Sequence, residues 1–247
     1  MKRLCIYVTY DSENIIDEYV EYMLREMRKA VHTLILVCNY KCDDCRVDKV
    51  QSYVDNMFCR ENLGYDAGAY NDVLCQELGW DVVCGYDELL LVNDSFFGPF
   101  YAFEELFDRM QRTGDDYWGM TRCPEVELAD GHTYESHIQS YFFSLRKRIL
   151  QNRAFQIFWE TMIYPTSFTQ AVIHFEIGLN RLLNRLGFRG IAVTDLSPIQ
   201  WNLRKSENPY LLYPLELIRD AGIPILKRKS LSLSNKGFDS AERALRF

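Results

Sequence analysis

Three consecutive polar residues, Asn93-Asp94-Ser95, follow the apolar run Leu89-Leu90-Leu91-Val92 and precede Phe96-Phe97 and the turn pair Gly98-Pro99. The apolar run suits a strand covered on both faces, as in the middle of a parallel sheet. Ligands of open α/β sheets bind beyond the carboxyl ends of such strands. A carboxylate between an amide and a hydroxyl is therefore placed to meet a phosphate, a metal ion or a sugar. The same residue types also make ordinary turns. A second polar cluster, Asn62, Gly64, Asp66 and Gly68, alternates within RENLGYDAGAY ahead of a helix expected over residues 69–78. Glycines before a helix let backbone N–H groups approach an anion, and the helix dipole favours negative charge there. Two glycines do not make the GxGxxG fingerprint, so a plain glycine turn is the alternative. A third group is the CxxC pair Cys42 and Cys45. A structural zinc site normally needs a second pair, and none is near. No zinc is expected, and the pair reads as reduced thiols; a zinc-stabilised module is the least favoured reading.

These clusters need a scaffold. Residues 4–10 and 33–40 read as strands, with an amphipathic helix over 13–30 whose apolar positions include Tyr19, Val20, Met23, Leu24 and Met27. Strand, helix, strand in about forty residues is a βαβ unit with a right-handed crossover. Its first strand delivers Thr9, Tyr10 and Asp11 to the ligand-binding edge. Further strands are expected at 57–59, 116–121, 138–145 and 190–195, and helices at 103–110, 146–162 and 174–188, the last ended by Gly187. Glu176 falls near the start of that last helix, off its apolar face.

The chain has 247 residues, 48% of them hydrophobic, and a formal net charge of −7. That supports one large core and argues against a nucleic-acid partner. A local basic edge remains at Lys227-Arg228-Lys229, followed by Lys236, Arg243 and Arg246; its plainest reading is a solvated tail. No run reaches the ~18 apolar residues of a membrane span, and the N-terminus reads as a strand and not a signal peptide. A cytoplasmic location is expected, and the eight cysteines read as reduced thiols, several of them as small core hydrophobes.

The segments RENLGYDAGAY, LLLVNDSFFGPF, HIQSYFFSL, FEIGLNRLLNRLGF and GIPILKRK, in this order, resemble the rhamnan synthesis F family of glycosyltransferases over about residues 3–230. The resemblance implies an α/β, Rossmann-like GT-A fold with a mostly parallel central sheet flanked by helices. It implies a single domain, 1–247, with a nucleotide-sugar-binding half (1–100), an acceptor-side half (101–230) and a basic tail (231–247). It further implies inverting transfer of a sugar, L-rhamnose from dTDP-L-rhamnose, onto a lipid-linked or oligosaccharide acceptor of a cell-surface polysaccharide, with peripheral contact at the inner membrane face. The donor-side residues would be Thr9, Asp11, Asn62, Gly64, Asp66, Gly68, Asn93 and Ser95. Asp94 stands where such enzymes carry Asp-x-Asp, making Mg²⁺ or Mn²⁺ a candidate cofactor, although one carboxylate in place of two weakens metal dependence. Glu176 is the candidate base, with His137 and His174 as rivals. His137, Gln139 and Ser140 are candidate acceptor contacts. The alternative is a non-catalytic nucleotide-sugar-binding or scaffold subunit of an assembly complex.

Overall fold

A computed structural model describes residues 1–40, 48–127, 133–194, 209–232 and 237–246. Cys42 and Cys45 lie outside the described residues. The first half alternates strands and helices: β1 (Arg3–Thr9), α1 (Glu18–Ala30), β2 (Thr33–Cys38), β3 (Asn56–Cys59), α2 (Tyr65–Asn71, continued by a π-helical turn, Asp72–Leu78), β4 (Glu88–Asn93) and the short β5 (Phe96–Phe97). The second half holds α3 (Phe103–Thr113), β6 (Tyr117–Cys123), β7 (His137–Ile138), β8 (Phe142–Arg146), α4 (Arg153–Glu160), and a continuous helical stretch, α5, made of Phe168–Gln170, π-helical Ala171–Ile177 and Gly178–Arg185. Then come β9 (Gly190–Thr194), α6 (Pro214–Arg219), β10 (Leu226–Lys227) and α7 (Phe238–Ala244).

The main sheet runs β9-β6-β8-β4-β1-β2-β3, with β7 on β6. Only β8 and β7 run antiparallel in it; β1, β2, β3 and β4 are mutually parallel, as are β6 and β9. This is the mostly parallel, Rossmann-like sheet flanked by helices that the resemblance implied. β4 is covered on both faces, as its apolar run predicts: Leu90 and Val92 join the core on one side, Leu89 and Leu91 the core on the other. Each fully buried Leu of this kind contributes roughly 1.5–3 kcal/mol, which fixes the strand and the turn it feeds. At the amino end of β4, buried Glu88 accepts from Arg3 Nε (2.7 Å), Trp118 Nε1 (2.9 Å) and Ser144 Oγ (2.6 Å). That end is closed by satisfied charge, which leaves the carboxyl end to carry ligand chemistry.

Several element boundaries differ from the sequence expectation, each for a local reason. α1 begins at Glu18 and not at residue 13, because the Asp11 carboxylate accepts from the amides of Glu13 (2.8 Å) and Ile15 (3.2 Å) and Asn14 turns left-handed at φ 59°. Such an Asx turn competes with the helix. The expected helix over 146–162 is broken before α4, where Asn152 caps a fresh start through Ala154 N and Phe155 N. The expected strand 138–145 is interrupted between β7 and β8 over residues 139–141. α5 starts at Phe168, capped by Ser167, so Glu176 sits inside the helix and not at its start. Cys59 is disulfide-bonded, where the sequence reading expects a reduced thiol; Cys5, Cys38, Cys75, Cys84 and Cys123 are free.

Candidate functional site at the strand ends

The parallel register places Val8 beside Asn93, so Thr9 leaves β1 next to the turn that leaves β4. Asp94 Oδ2 accepts from Thr9 Oγ1 at 2.9 Å, from Tyr10 N at 3.2 Å and from Tyr19 OH at 3.2 Å. Arg228 Nη1 lies 3.5 Å from the same oxygen. Burial nevertheless holds the Asp94 carboxyl above its usual range, because most of these donors are neutral and together do not offset lost hydration. Asn93 orders both flanks of the turn: its Oδ1 accepts from Ser95 N (3.0 Å) and its Nδ2 donates to Asp66 Oδ2 (2.5 Å). Ser95 Oγ is buried with no hydrogen-bond partner among the described residues.

Asp66 lies in the first turn of α2. The expected loop over 62–68 is shorter than the sequence suggests, since Tyr65–Asn71 is already helical. Gly64 is left-handed at φ +78°, and a Cβ on Gly68 would stand 2.1 Å from Leu63 O. Both glycines thus serve the tight entry into α2, which Arg60 braces through Asp72, Asn39 and Leu63 O. Burial pushes the Asp66 carboxyl up to about 6; Asn93 lowers it, Asp94 and Glu176 raise it, and Lys227 lowers it. A buried carboxyl poised near neutrality is a marker of functional sites. Asp11 is tied into its own turn, and Asn62 is exposed at the rim; neither joins the inner group.

On the far side, the π-helical segment of α5 presents Glu176. Its Oε1 faces His137 Nε2 at 3.0 Å, and its Oε2 accepts from both Ser140 N and Ser140 Oγ at 2.6 Å. Burial alone would raise this carboxyl, yet His137 and Ser140 together hold it below the usual range. His137 is raised despite its burial, by the bond to Glu176 and its charge and by Glu135 O, 2.7 Å from Nδ1. With acceptors at both ring nitrogens, the imidazolium form satisfies both. Asn180 clamps this corner: it accepts from Ile138 N (2.9 Å) and donates to Ile138 O (2.9 Å) and Glu176 O (2.8 Å). Gln139 Oε1 accepts from Thr121 Oγ1, which accepts in turn from Tyr141 OH.

Sequence reasoning missed Asn180 and Lys227. Asn180 stands one helical turn after Glu176 on a buried helix face, a position where an Asn needs partners. Lys227 belongs to the stretch read as a solvated basic tail, but its ammonium is seated on the Tyr141 ring and is pushed down to about 7, by burial first, with Lys229 adding to this and Glu176 and Asp66 opposing it. Asp66 therefore feels the charges of Asp94, Glu176 and Lys227, and Lys227 those of Glu176 and Asp66. A resident divalent cation does not fit the donor set. Asp94 Oδ2 is already surrounded by protein donors, and among the described residues no group of three or more His, Cys, Asp and Glu side chains gathers in metal-binding fashion.

The family described as rhamnan synthesis protein F matches residues 34–245. An uncharacterized protein of Sinorhizobium fredii, y4gN, is 23% identical over 155 residues, 63% of this chain and 39% of that protein. The virulence protein VirA of Vibrio anguillarum is 29% identical over 160 residues, 63% of this chain and 47% of its own length. The chain spans about half the length, or less, of these curated relatives. Among solved structures, a glycosyltransferase involved in glycosylation of the major capsid of PBCV-1 aligns over 99% of this chain and 100% of its own, at 8% identity and a TM-score of 0.42. No helix among the described residues is long and apolar enough to cross a membrane.

Proposed function

The chain belongs to the rhamnan synthesis protein F family, and from that premise we propose that it is a glycosyltransferase that moves a sugar from a nucleotide-sugar donor to a polysaccharide acceptor with inversion. The donor is dTDP-L-rhamnose, and the acceptor is a lipid-linked or oligosaccharide chain met at the inner face of the membrane. The observation that carries this reading is the convergence of Asp66, Asp94, Glu176 and Lys227 at the carboxyl ends of the parallel strands, where open α/β sheets bind their ligands. The donor nucleotide lies along Thr9 and the entry to α2, and the diphosphate lies over Asn93–Ser95. Asn93 and Thr9 orient the two buried carboxylates on this side.

Glu176 faces the acceptor. Kept ionised by His137 and Ser140, it receives the acceptor hydroxyl proton as that oxygen attacks the anomeric carbon. The bond from that carbon to the diphosphate breaks with its electron pair on the diphosphate. A low-pKa carboxylate suffices, because the hydroxyl becomes strongly acidic only as the new bond forms. General-base assistance of this kind is worth roughly 10²–10⁴-fold in rate. Glu176→Gln tests the assignment: transfer from dTDP-L-rhamnose is expected to fall by about that factor with donor affinity kept, and unchanged turnover removes Glu176 from the role. A non-catalytic donor-binding or scaffold subunit is the second reading, favoured by one observation: Glu176 and Asp94 are both held by several protein donors. Donor binding without transfer to any rhamnan-type acceptor would decide for it.

A further inference from the structure

The last part of the described chain returns to the turn after β4. β10 pairs antiparallel with β5, setting Lys227 opposite Phe96 and Leu226 opposite Phe97. Arg228 N donates to Ser95 O at 3.0 Å, and Arg228 Nη1 lies 3.3 Å from Asp94 O. Gly98 permits this approach. It adopts φ +136°, and a Cβ there would stand 2.6 Å from Pro224 O, so a side chain at 98 would drive the strap away.

Three consecutive cations are each seated on an aromatic ring: Lys227 on Tyr141, Arg228 on Tyr19 at 4.9 Å and Lys229 on Phe168 at 5.1 Å. Such seating fixes where a long cationic side chain can reach. Lys227 feels the charges of Asp66 and Glu176 from its seat on Tyr141, and its partial burial carries a cost that a solvated tail would avoid. Arg228 Nη1 lies 3.5 Å from Asp94 Oδ2, so a fixed positive charge already stands beside the carboxylate that a metal would otherwise meet. Ser95, whose backbone O accepts from Arg228 N, also has a buried, unpartnered Oγ.

We propose that Lys227 and Arg228 replace a divalent cation in holding the donor diphosphate, so that this protein binds and releases its nucleoside diphosphate without a metal. The inference rests on the donor-site reading above. As the bond between the anomeric carbon and the diphosphate breaks, the electron pair passes to the leaving oxygen. The Lys227 ammonium and the Arg228 guanidinium face that growing charge, and Ser95 Oγ donates to the same group. Fixed cations in a dry site need little reorganisation when the charge appears.

Calorimetric titration of the full chain with dTDP, UDP and GDP, in EDTA and then with Mg²⁺ or Mn²⁺, tests this. The expected result is binding of at least one diphosphate in EDTA, with affinity changed less than about threefold by either metal. Lys227→Met and Arg228→Ala are each expected to weaken that binding by about tenfold or more, the scale of a lost charge-assisted contact, with Lys227→Arg retaining most of it. Binding that appears only when metal is added overturns the inference and leaves the donor-site reading standing, as does unchanged affinity in folded Lys227→Met. No binding of any of the three in either condition overturns both.

Discussion

Asp94 and Glu176 are both carboxylates largely taken out of water, yet they are displaced in opposite directions: Asp94 upward, Glu176 downward. Burial pushes both up. The difference lies in what answers it. Asp94 is met by a hydroxyl, an amide and a phenol, with Arg228 at 3.5 Å as its only nearby cation among the described residues. Glu176 is met by a histidine at 3.0 Å and two Ser140 donors at 2.6 Å. Neutral hydrogen bonds soften desolvation; a charged partner in contact reverses it. The donor side therefore keeps carboxyls that take up a proton more readily than usual, whereas the acceptor side keeps one already secured as an anion.

Removing the charged partner should collapse the contrast. His137→Ala leaves Glu176 buried without its cation and is expected to cost about 3–5 kcal/mol, as for breaking one side of a buried pair, measured by urea unfolding. The cost should depend on pH with a definite sign. Glu176, depressed in the fold, contributes stability above its ordinary value of 4.5 that is lost as pH falls through its folded pKa. His137, raised in the fold, contributes stability below 6.5 that is lost as pH rises through its folded pKa. The gap between wild type and His137→Ala should be widest between those values, and a flat gap from pH 4 to 9 contradicts the ion pair.

Asp66 should behave in the opposite way. Its folded pKa of about 6 lies above the ordinary 3.8, so its ionisation destabilises the fold as pH rises from about 4 through 6. Asp66→Asn is expected to stabilise the protein at pH 8 by on the order of 1–3 kcal/mol while weakening donor binding; a destabilised variant would show that Asp66 is a structural anion. Lys227 gives a further pH test. Asp66 on α2 and Glu176 on α5 favour its charge, Lys229 on its own strap opposes it, and Tyr141 lies beneath it. With a free-state pKa of about 7, nucleoside diphosphate affinity should fall as pH rises above 7, by up to about tenfold per unit. Constant affinity from pH 6 to 9 would place the ligand elsewhere. The smallest effect is expected at Thr9→Val, about 1 kcal/mol for one lost hydrogen bond, with Asp94 raised further; no change in melting temperature would make that bond dispensable.

The two sides were also unequally legible in the sequence. β4, its two-sided burial and the polar turn after it were visible because apolar run, polar cluster and Gly-Pro are all local. β1, β2 and the crossover followed from periodicity alone. Glu176 was recognisable by type, but its setting was not: helix α5 begins earlier, capped by Ser167, and the carboxylate is interior to the helix and half-buried. Its partner His137 is far off in sequence, and the clamp at Asn180 shows only as one polar residue on an apolar helix face. Lys227 was misread for the same reason. Nothing local in GIPILKRK says that β10 pairs with Phe96-Phe97, about 130 residues earlier, or that Gly98 leaves room for it.

The central claim is a division of labour: Lys227 and Arg228, beside Asp66 and Asp94, hold the donor, and Glu176 acts on the acceptor. Its most direct test is to measure dTDP-L-rhamnose affinity and transfer together in wild type, Glu176→Gln and Lys227→Met. The account predicts that Glu176→Gln binds donor like wild type and transfers at least about a hundredfold more slowly, while Lys227→Met loses donor affinity. Loss of donor binding in folded Glu176→Gln, with Lys227→Met unaffected, would contradict it.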